Sequence, residues 1–501
     1  MKKESSSLPF AVLTVLAEAK VPLFRQIFDE LRRAILTGRL KPGTCLPSTR
    51  QLAADLNVSR NTVLGAYDQL LAEGYLEGVA GSGTFVSRNL PEEMLQPGPI
   101  APRGQDPHDR HRSPSKRGRR LTSILPDTGG GRLGELLPFR NPIPELASFP
   151  FNIWSKLLAR YSRNPSYDLL GYTHPAGYPR LREVIATYLR SARGVRCEAA
   201  QVIVVPSSQI ALDIIAQMLL DQGETALIED PSYFGARAVF GRAGIRMTPI
   251  PIDEEGVSMS AIRKTRSAAR IIYVTPSHQF PLGVTMSLAR RLDLLEWARQ
   301  TKAWIIEDDY DGEYRYTGRP IPSLQGLDGH ERVIYLGTFS KVMFPSLRIG
   351  YLVVPRDLAE VFIKGRILVD TLSATIPQAA LADFIEDGHF TRHVRRMRKL
   401  YAARQACLVA AAKAELSGLL EVEACEAGMH LIGWLPPGVD DRQASSAAWR
   451  HHLIARPLSG ACLRPLGRGA LVLGYTGFNE QQLRLGVRRL RTALSDELSA
   501  R

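Results

Sequence analysis

Six short apolar runs between residues 202 and 354 constrain the fold of this chain more than any other feature. Each run consists mainly of aliphatic and aromatic residues, and most of the runs are separated by stretches in which apolar residues recur at helical spacing. Strands that alternate with helices form a mainly parallel sheet covered by the helices. The sequence therefore predicts an α/β fold with strands at 202–205, 225–228, 271–275, 304–308, 333–337 and 349–354.

Lys341 lies just after the fifth run, in the segment Thr338-Phe339-Ser340-Lys341. A primary amine at a strand end can form a Schiff base with the aldehyde of pyridoxal 5'-phosphate (PLP). Thr338 and Ser340 offer hydroxyl donors to a phosphate, and Arg348 offers a planar fork that binds two phosphate oxygens. Most lysines are solvated surface residues, so the prediction needs support from other segments.

The fourth run supplies that support, because it ends in Glu307-Asp308-Asp309-Tyr310. Ligands bind in the crevice beyond the carboxyl ends of parallel strands, so this end and that of the fifth run can face one molecule. A buried anion such as Asp308 would keep the ring nitrogen of PLP protonated. Tyr310 can donate to the ring phenolate. The alternative is an ordinary acidic strand end.

Two further turns belong to the same predicted site. Ser207, Ser208 and Gln209 connect the first run to an apolar helix, and free amides, the helix dipole and hydroxyls at such a turn favour a phosphate. Ordinary helix capping is the alternative. Tyr233 follows the second run and can stack on the pyridine ring, with core packing as the alternative.

The order of these motifs resembles that of the fold-type I PLP enzymes, the aspartate aminotransferase-like superfamily, from about Pro138 to the C-terminus. The resemblance implies that Lys341 forms the internal aldimine, that Asp308 pairs with the ring nitrogen, and that Arg348 binds the phosphate. The other roles that it implies are a ring-oxygen contact for Tyr310, stacking for Tyr233, and a reach into the partner subunit's site for Tyr172.

Three positions depart from the family's pattern. Phe280 stands where transaminases usually carry an asparagine that donates to the ring oxygen. Ser207 stands where the family often has glycine, so we expect a different backbone conformation there, because a Cβ restricts positive φ. The strand 471–475 contains no arginine for a substrate carboxylate, which leaves Arg464 or Arg468 as substitutes. These departures weaken the prediction of efficient transamination more than the prediction of cofactor binding.

The segment from Pro22 to Val86 independently predicts a winged helix-turn-helix. The first helix is indicated by apolar residues at helical spacing, namely Phe24, Ile27, Phe28, Leu31 and Ile35. Ser48 and Ser59 occupy the capping positions of the next two helices. The first turn of the third helix carries the side chains expected to reach bases and phosphates, which are Ser59, Arg60, Asn61 and Thr62.

This segment resembles the GntR family of DNA-binding domains at residues 46–50, 58–63 and 81–86. The resemblance implies that Arg50, Arg60 and Thr62 contact DNA and that Gly83 lets the wing approach the DNA backbone. The alternative is a three-helix module that binds protein. The formal net charge of +14 is spread along the chain, so it permits DNA binding without locating it.

The chain length of 501 residues supports two domains. We predict a winged helix-turn-helix domain at 16–88, a flexible basic and proline-rich linker at 89–134, and an aminotransferase-like domain at 135–501. The linker prediction rests on low hydrophobicity, which gives too little apolar surface for folding.

The five cysteines match no zinc or redox pattern, so we expect no metal site and a reducing, cytoplasmic location. The short apolar run near the N-terminus is broken by Pro9, so we do not predict a signal peptide. No segment approaches the roughly 20 apolar residues of a membrane span.

Together the two halves resemble the MocR/GabR subfamily of bacterial transcription regulators. The resemblance implies a head-to-tail homodimer that binds PLP and double-stranded operator DNA, and that responds to an amine or amino-acid effector or to PLP itself. We hypothesise that the effector's amine displaces Lys341 from the cofactor. The freed lysine would let the domain close and reposition the DNA-binding helices.

Two alternatives remain open at this point. The first is an active PLP-dependent aminotransferase that carries a DNA-binding module, which sustained turnover of about 1 per second or faster would reveal. The second is a dimerisation scaffold that has lost its cofactor. A visible absorbance band that Lys341→Ala abolishes would exclude it.

Overall fold

The structure is a computed structural model that describes residues 21–90, 114–123, 136–140, 143–265, 268–318 and 321–499. The chain divides into two compact units. One contains residues 21–90, and the other contains the described residues from Pro114 onward.

The small unit consists of three helices and a two-stranded hairpin. In chain order these are α1 (Leu23–Leu36), α2 (Thr49–Asp55), α3 (Arg60–Ala72), β1 (Leu76–Val79) and β2 (Gly83–Val86). The Ser48 and Ser59 side chains cap α2 and α3 as predicted, because each accepts a backbone N–H from the first turn. Four of the five residues predicted for the inner face of α1 are buried. Phe24 is the exception, at 41% exposed.

The large unit is an α/β structure, as predicted from the alternation of strands and helices. Its helices are α4 (Lys116–Ser123), α5 (Phe151–Arg163), α6 (Tyr167–Leu170), α7 (Pro179–Ala192), α8 (Ser208–Leu219), α9 (Phe234–Ala243), α10 (Met259–Lys264), α11 (Leu288–Thr301), α12 (Leu324–Leu327), α13 (Ala359–Val369), α14 (Thr375–Glu386), α15 (His389–Glu415), α16 (Asp441–Arg450) and α17 (Glu480–Ser499). Its strands are β3 (Val202–Val205), β4 (Thr225–Asp230), β5 (Arg246–Asp253), β6 (Gly256–Val257), β7 (Ala269–Val274), β8 (Trp304–Asp309), β9 (Val333–Thr338), β10 (Gly350–Val353), β11 (Glu421–Val422), β12 (His430–Trp434), β13 (Arg456–Pro457) and β14 (Ala470–Gly474).

The main sheet has eight strands in the order β3-β10-β9-β8-β7-β4-β5-β6. The neighbours from β9 to β5 are parallel, whereas β10 and β6 run antiparallel to the strands beside them. Successive residues of β3 pack into two different cores, one on each face of the sheet. Burial on both faces explains why the strands read as continuous apolar runs in the sequence.

A second, antiparallel sheet lies near the C-terminus, in the order β11-β12-β14-β13. Of the four strands, only β14 was predicted from the sequence. Strand β5 of the main sheet was not predicted either, and its sequence contains Pro249 and Pro251. Proline is tolerated near the edge of a sheet, where β5 lies, but it masks the strand pattern.

Helix α4 lies within the segment 89–134 that the sequence predicts to be a linker. Ser115 caps its first turn by accepting the Gly118 N–H at 2.9 Å. Arg117 also donates to the Arg242 carbonyl oxygen at 3.4 Å. These contacts explain how a strongly basic segment forms a helix against the large unit. The linker positions 91–113 and 124–134 lie outside the described residues.

Candidate functional site

The register of the sheet brings the predicted lysine and phosphate residues together. Val205 at the end of β3 pairs with Gly350 at the start of β10, and Gly350 also pairs with Thr338 at the end of β9. The turns that follow β3 and β9 and the segment that precedes β10 therefore meet at one edge. These segments contain the predicted residues Ser207, Ser208, Gln209, Ser340, Lys341 and Arg348.

Asp308 lies at the carboxyl end of β8 and is 4% exposed. The Tyr273 hydroxyl donates to its Oδ2 at 2.7 Å, whereas its Oδ1 has no hydrogen-bond partner among the described residues. Burial raises the pKa of Asp308 to about 7, and the Tyr273 hydrogen bond opposes that rise only in part. The Asp308 Oδ1 can therefore accept a hydrogen bond from a cationic donor.

The neighbouring carboxylates are already committed to other partners. Glu307 accepts the backbone N–H groups at the start of α12. Asp309 pairs with Arg193 at 2.7 Å, and Asp311 pairs with His278 at 3.0 Å. Asp308 also has an oxygen without a hydrogen-bond partner and, unlike the other three acids, it forms no ion pair with an arginine or histidine among the described residues. The positive charge of Lys341 acts on Asp308 and lowers its pKa. The role of Asp308 as the partner of a ring nitrogen stays a prediction.

Lys341 lies between the end of β9 and the loop before β10, and part of its surface stays open to solvent. Burial lowers the pKa of Lys341 to about 8, although the carboxylates of Asp311 and Asp308 oppose that change. The lowered pKa leaves a larger fraction of the Lys341 amine in the unprotonated, nucleophilic form near neutral pH than an exposed lysine has.

The residues predicted to bind the cofactor's phosphate lie at the start of α8 and just before β10. The Ser207 Oγ accepts the Ile210 N–H at 3.2 Å, so this hydroxyl caps the helix. Ser207 has an extended backbone, with φ of −169°, which any residue can adopt. Arg348 is exposed and has φ of 54°, in the left-handed region that costs a non-glycine residue about 1–2 kcal/mol. Strain of this kind is often retained where a ligand binds.

Tyr233 follows β4 and faces the same site. Burial and, to a smaller extent, the negative charge of Asp308 raise the pKa of its hydroxyl to about 12, and the positive charge of Arg348 opposes the rise. Its ring packs edge-on to Phe280, with ring centroids 6.1 Å apart. A Cβ at Gly235 would lie 2.3 Å from the Tyr233 ring, so glycine is required for this ring position.

Tyr310 is buried in the loop after β8. Its hydroxyl donates to the His278 carbonyl oxygen at 3.1 Å and lies 2.9 Å from the His278 Nδ1. The same Nδ1 lies 3.0 Å from the Asp311 Oδ2. The His278–Asp311 pair was not predicted from the sequence, because the two residues are 33 positions apart and form no recognisable motif.

Arg456 is a further residue of the site that was not predicted from the sequence. It lies on β13, opposite Val472 of β14, and its charge contributes to lowering the pKa of Lys341. Burial lowers the pKa of Arg456, and the nearby charge of Arg140 lowers it further. The Arg456 side chain has no hydrogen bond or ion pair to any described residue. A two-residue strand gives no pattern from which it could have been found.

Arg464 and Arg468, the two arginines predicted as substitutes for a carboxylate-binding arginine, have different surroundings. Arg468 pairs with Glu421 at 2.8 Å and also donates to the Leu435 carbonyl oxygen, which directs it into the C-terminal sheet. Arg464 contributes its backbone N–H to the Asp230 carboxylate at 3.0 Å.

The C-terminal segment after β13 is hydrogen-bonded to the turn after β4. The Ser232 N–H donates to the Ala461 carbonyl oxygen at 3.0 Å. The Leu463 N–H donates to the Asp230 Oδ1 at 2.7 Å. The site therefore lies between the main sheet and the C-terminal sheet, and a movement of one changes its contacts with the other.

Tyr172 lies just after α6 and is 95% exposed. Two nearby apolar side chains are also open to solvent, with Tyr167 88% and Leu170 66% exposed. None of the three is buried within its own chain. The predicted reach of Tyr172 into a partner's site stays a prediction.

The predicted DNA-binding residues of the small unit lie at the start of α2, at the start of α3 and in the hairpin. Arg50, Ser59, Arg60 and Asn61 are exposed, whereas Thr62 is partly buried and donates its backbone N–H to the Ser59 Oγ at 3.1 Å. The opposite face of α3 is buried through Val63, Ala66, Tyr67 and Leu70. Gly83 in the hairpin has φ of +117°, a conformation that side-chain-bearing residues rarely adopt.

Within the described residues, no group of three or more histidine, cysteine or acidic side chains is arranged to hold a metal ion. The described part of the chain also contains no helix that is both long and apolar enough to span a membrane.

Comparison with known protein families identifies the family that each unit matches. Residues 23–86 match the family of bacterial regulatory proteins named gntR, and residues 152–473 match aminotransferase class I and II. Fold and site thus define a GntR-type DNA-binding domain fused to an aminotransferase-like domain.

Similarity to individual proteins narrows that class further. The chain is 43% identical over 478 residues to the probable rhizopine catabolism regulatory protein MocR of Rhizobium meliloti, covering 95% of this chain and 94% of the relative. It is 34% identical to the transcriptional regulator TauR of Rhodobacter capsulatus, covering 76% and 77%. It is 33% identical to the pyridoxine biosynthesis regulator PdxR of Corynebacterium glutamicum, covering 76% of each. The chain belongs to this MocR-type family of transcription regulators, which confirms the predicted family and fold.

Solved structures agree for the large unit. The α-aminoadipate aminotransferase LysN of Thermus thermophilus, complexed with N-(5'-phosphopyridoxyl)-L-leucine, has a TM-score of 0.68 and 26% identity, covering 77% of this chain and 96% of LysN. The kynurenine aminotransferase of Pyrococcus horikoshii has the same TM-score and 25% identity, covering 77% and 96%.

Proposed function

We propose that this regulator binds PLP at Lys341 and senses an amine-bearing effector that competes with Lys341 for the cofactor. The observation that carries the proposal is Asp308, a buried carboxylate with a raised pKa and an unpartnered oxygen in the same site as a lysine of lowered pKa. A buried carboxyl in this state is expected where a cationic group will bind.

The residues present fit PLP at each of its ends. The unpartnered Asp308 Oδ1 would accept the protonated ring nitrogen, and Tyr233 would stack on the ring. The phosphate would meet the start of α8 at Ser208 and Gln209, together with Arg348. Thr338 and Ser340 supply further donors, although the Thr338 Oγ1 already accepts the Ser340 N–H at 3.2 Å.

When bound, PLP supplies an aldehyde that condenses reversibly with primary amines. Lys341 would hold the cofactor in the resting protein, since the lowered pKa leaves its amine unprotonated in part near pH 8. An effector amine would displace Lys341 and leave the lysine amine free to accept or donate a proton. Because a ligand shifts a conformation only through differential binding, the effector must contact groups that differ between two arrangements.

Arg456 is the group that we assign to this discrimination. Lys341 belongs to the main sheet, whereas Arg456 lies on β13 of the C-terminal sheet, so a ligand that contacts both would favour one arrangement of the two sheets. Arg456 and the nearby Arg140 would bind an anionic group. We therefore propose that the effector is an amine that also carries a carboxylate or a similar anion.

The active assembly is proposed to be a head-to-tail homodimer in the cytoplasm that binds double-stranded operator DNA. Its support is the exposure of Tyr172 next to exposed apolar side chains, together with the exposed polar end of α3. In this arrangement Tyr172 would reach the phosphate in the partner's site.

A paired titration tests the proposal. Purified protein supplied with PLP is titrated with a panel of amines, while visible absorbance and affinity for the operator are measured at the same concentrations. We expect one class of amine to change both signals with a common midpoint. An amine that alters DNA binding while the absorbance stays constant would contradict the proposed sensing route.

A further inference from the structure

The buried pair of His278 and Asp311 has no role in the function described so far. Both side chains are about 1% exposed, and the His278 Nδ1 lies 3.0 Å from the Asp311 Oδ2. The same Nδ1 lies 2.9 Å from the Tyr310 hydroxyl. A buried ion pair is costly to desolvate and adds little net stability, so its presence beside a binding site calls for another explanation.

The charge of His278 follows from its surroundings. Burial lowers the pKa of His278, but the Asp311 carboxylate and the nearby Cys425 thiol together raise it by more. The resulting pKa is about 10. The 3.0 Å contact with the Asp311 Oδ2 thus favours the imidazolium form of His278. Burial raises the pKa of Asp311, and the charge of His278 opposes that rise. His430, whose ring centroid is 5.0 Å away, has the opposite character: burial and the charge of His278 lower its pKa to about 3, so it is neutral.

Two neighbours of the pair are central to the proposed cofactor site. The Tyr310 hydroxyl proton is directed to the His278 carbonyl oxygen, so its oxygen faces the imidazolium N–H. Asp311 faces Lys341, and among the charges near Lys341 it contributes most to raising the lysine pKa. His278 therefore neutralises the carboxylate that would otherwise favour the protonated, unreactive form of Lys341.

We propose that His278 is a positioning residue that, as an imidazolium, neutralises Asp311 and fixes Tyr310, and thereby sets the pH range in which Lys341 exchanges with an amine. The inference rests on the proposed function, because it needs PLP at Lys341. The charged or titratable groups that face His278 are Asp311, Tyr310, Cys425 and the neutral His430.

The test is a pH titration of the visible absorbance of the PLP-loaded full-length protein. His278→Gln leaves Asp311 without its cation, so the absorbance midpoint should rise by about 1 pH unit, the size expected for a nearby partly buried charge. Asp311→Asn removes an anion that faces Lys341, so its midpoint should fall by roughly 0.5–1 pH unit. His430→Gln is the matched control, since it removes an uncharged ring, and its midpoint should equal that of the unmodified protein.

Opposite shifts in the first two variants support the inference. Midpoints that differ from the unmodified protein by less than about 0.3 pH unit, or a shift of reversed sign, would show that the pair only fills space. If His278→Gln binds no cofactor, the Asp311→Asn titration decides alone: a lowered midpoint supports the inference and an unchanged one overturns it. A colourless unmodified protein would instead refute the proposed function.

Discussion

Replacing Asp308 by asparagine should stabilise the protein without cofactor while it weakens cofactor binding. In the unfolded chain the carboxyl has an ordinary pKa near 3.8, and in the fold it is raised to about 7. The raised value means that the fold favours the protonated form, so stability is lost as pH rises from 3.8 to 7 and stays constant above that. One pKa unit corresponds to about 1.4 kcal/mol, so the loss at pH 8 is roughly 4 kcal/mol.

Asparagine keeps an acceptor for the Tyr273 hydroxyl and carries no charge. The asparagine leaves one polar group without a hydrogen-bond partner, and the Asp308 Oδ1 already lacks a partner in the unmodified protein. The cost of an unpartnered polar group should therefore be similar in both proteins and cancel in the comparison. For a unit of this size, roughly 4 kcal/mol corresponds to a rise of about 5 °C in the Tm of the cofactor-free protein at pH 8. At pH 5 the gain should be less than half as large, because most of the titration lies above that pH.

The assay is thermal unfolding at pH 5 and pH 8, with and without added PLP, beside an absorbance titration with PLP. Asp309→Asn is the matched control, because Asp309 is paired with Arg193 at 2.7 Å. Removing it leaves a buried guanidinium uncompensated, at a cost of about 3–5 kcal/mol, so its Tm should fall. If Asp308→Asn lowers the Tm of the cofactor-free protein at pH 8, Asp308 does not have the uncompensated character on which the site assignment depends.

Three further predictions concern DNA, effector and partner subunit. Arg60→Ala should weaken operator binding by about 1–3 kcal/mol in an equilibrium binding assay, whereas Gln69→Ala, further along α3, should leave it unchanged; equal effects would remove the assignment. Arg456→Gln should raise the concentration of an anionic amine needed for half-maximal response by about 10-fold or more, with little effect on a neutral amine, and a uniform change would argue against the anion role. Tyr172→Ala should lose PLP affinity, and mixing it with Lys341→Ala chains should restore one intact site per dimer; failure of that complementation would contradict the head-to-tail arrangement.

The strand ends of the main sheet could be predicted because burial on both faces produces continuous apolar runs. Lys341 and Asp308 each follow such a run, so their common crevice follows from the parallel topology. The helix caps Ser48 and Ser59 were also predictable, because capping depends on residues only three positions apart.

The rest of the site depends on contacts that leave no local pattern. His278 and Asp311 are joined across 33 residues, and Arg456 comes from a strand of two residues in a sheet that the sequence did not reveal. The sequence also could not separate Asp308 from its acidic neighbours by partner. That distinction depends on the folded positions of Arg193 and His278, which pair with Asp309 and Asp311.

The most direct test of the account is the visible absorbance of the purified protein supplied with PLP, compared with that of Lys341→Ala. We predict a visible band in the unmodified protein that is absent from the variant and that changes when an anionic amine is added. An unmodified protein that stays colourless with excess PLP, or a variant that keeps the same band, would contradict the claim that Lys341 holds the cofactor.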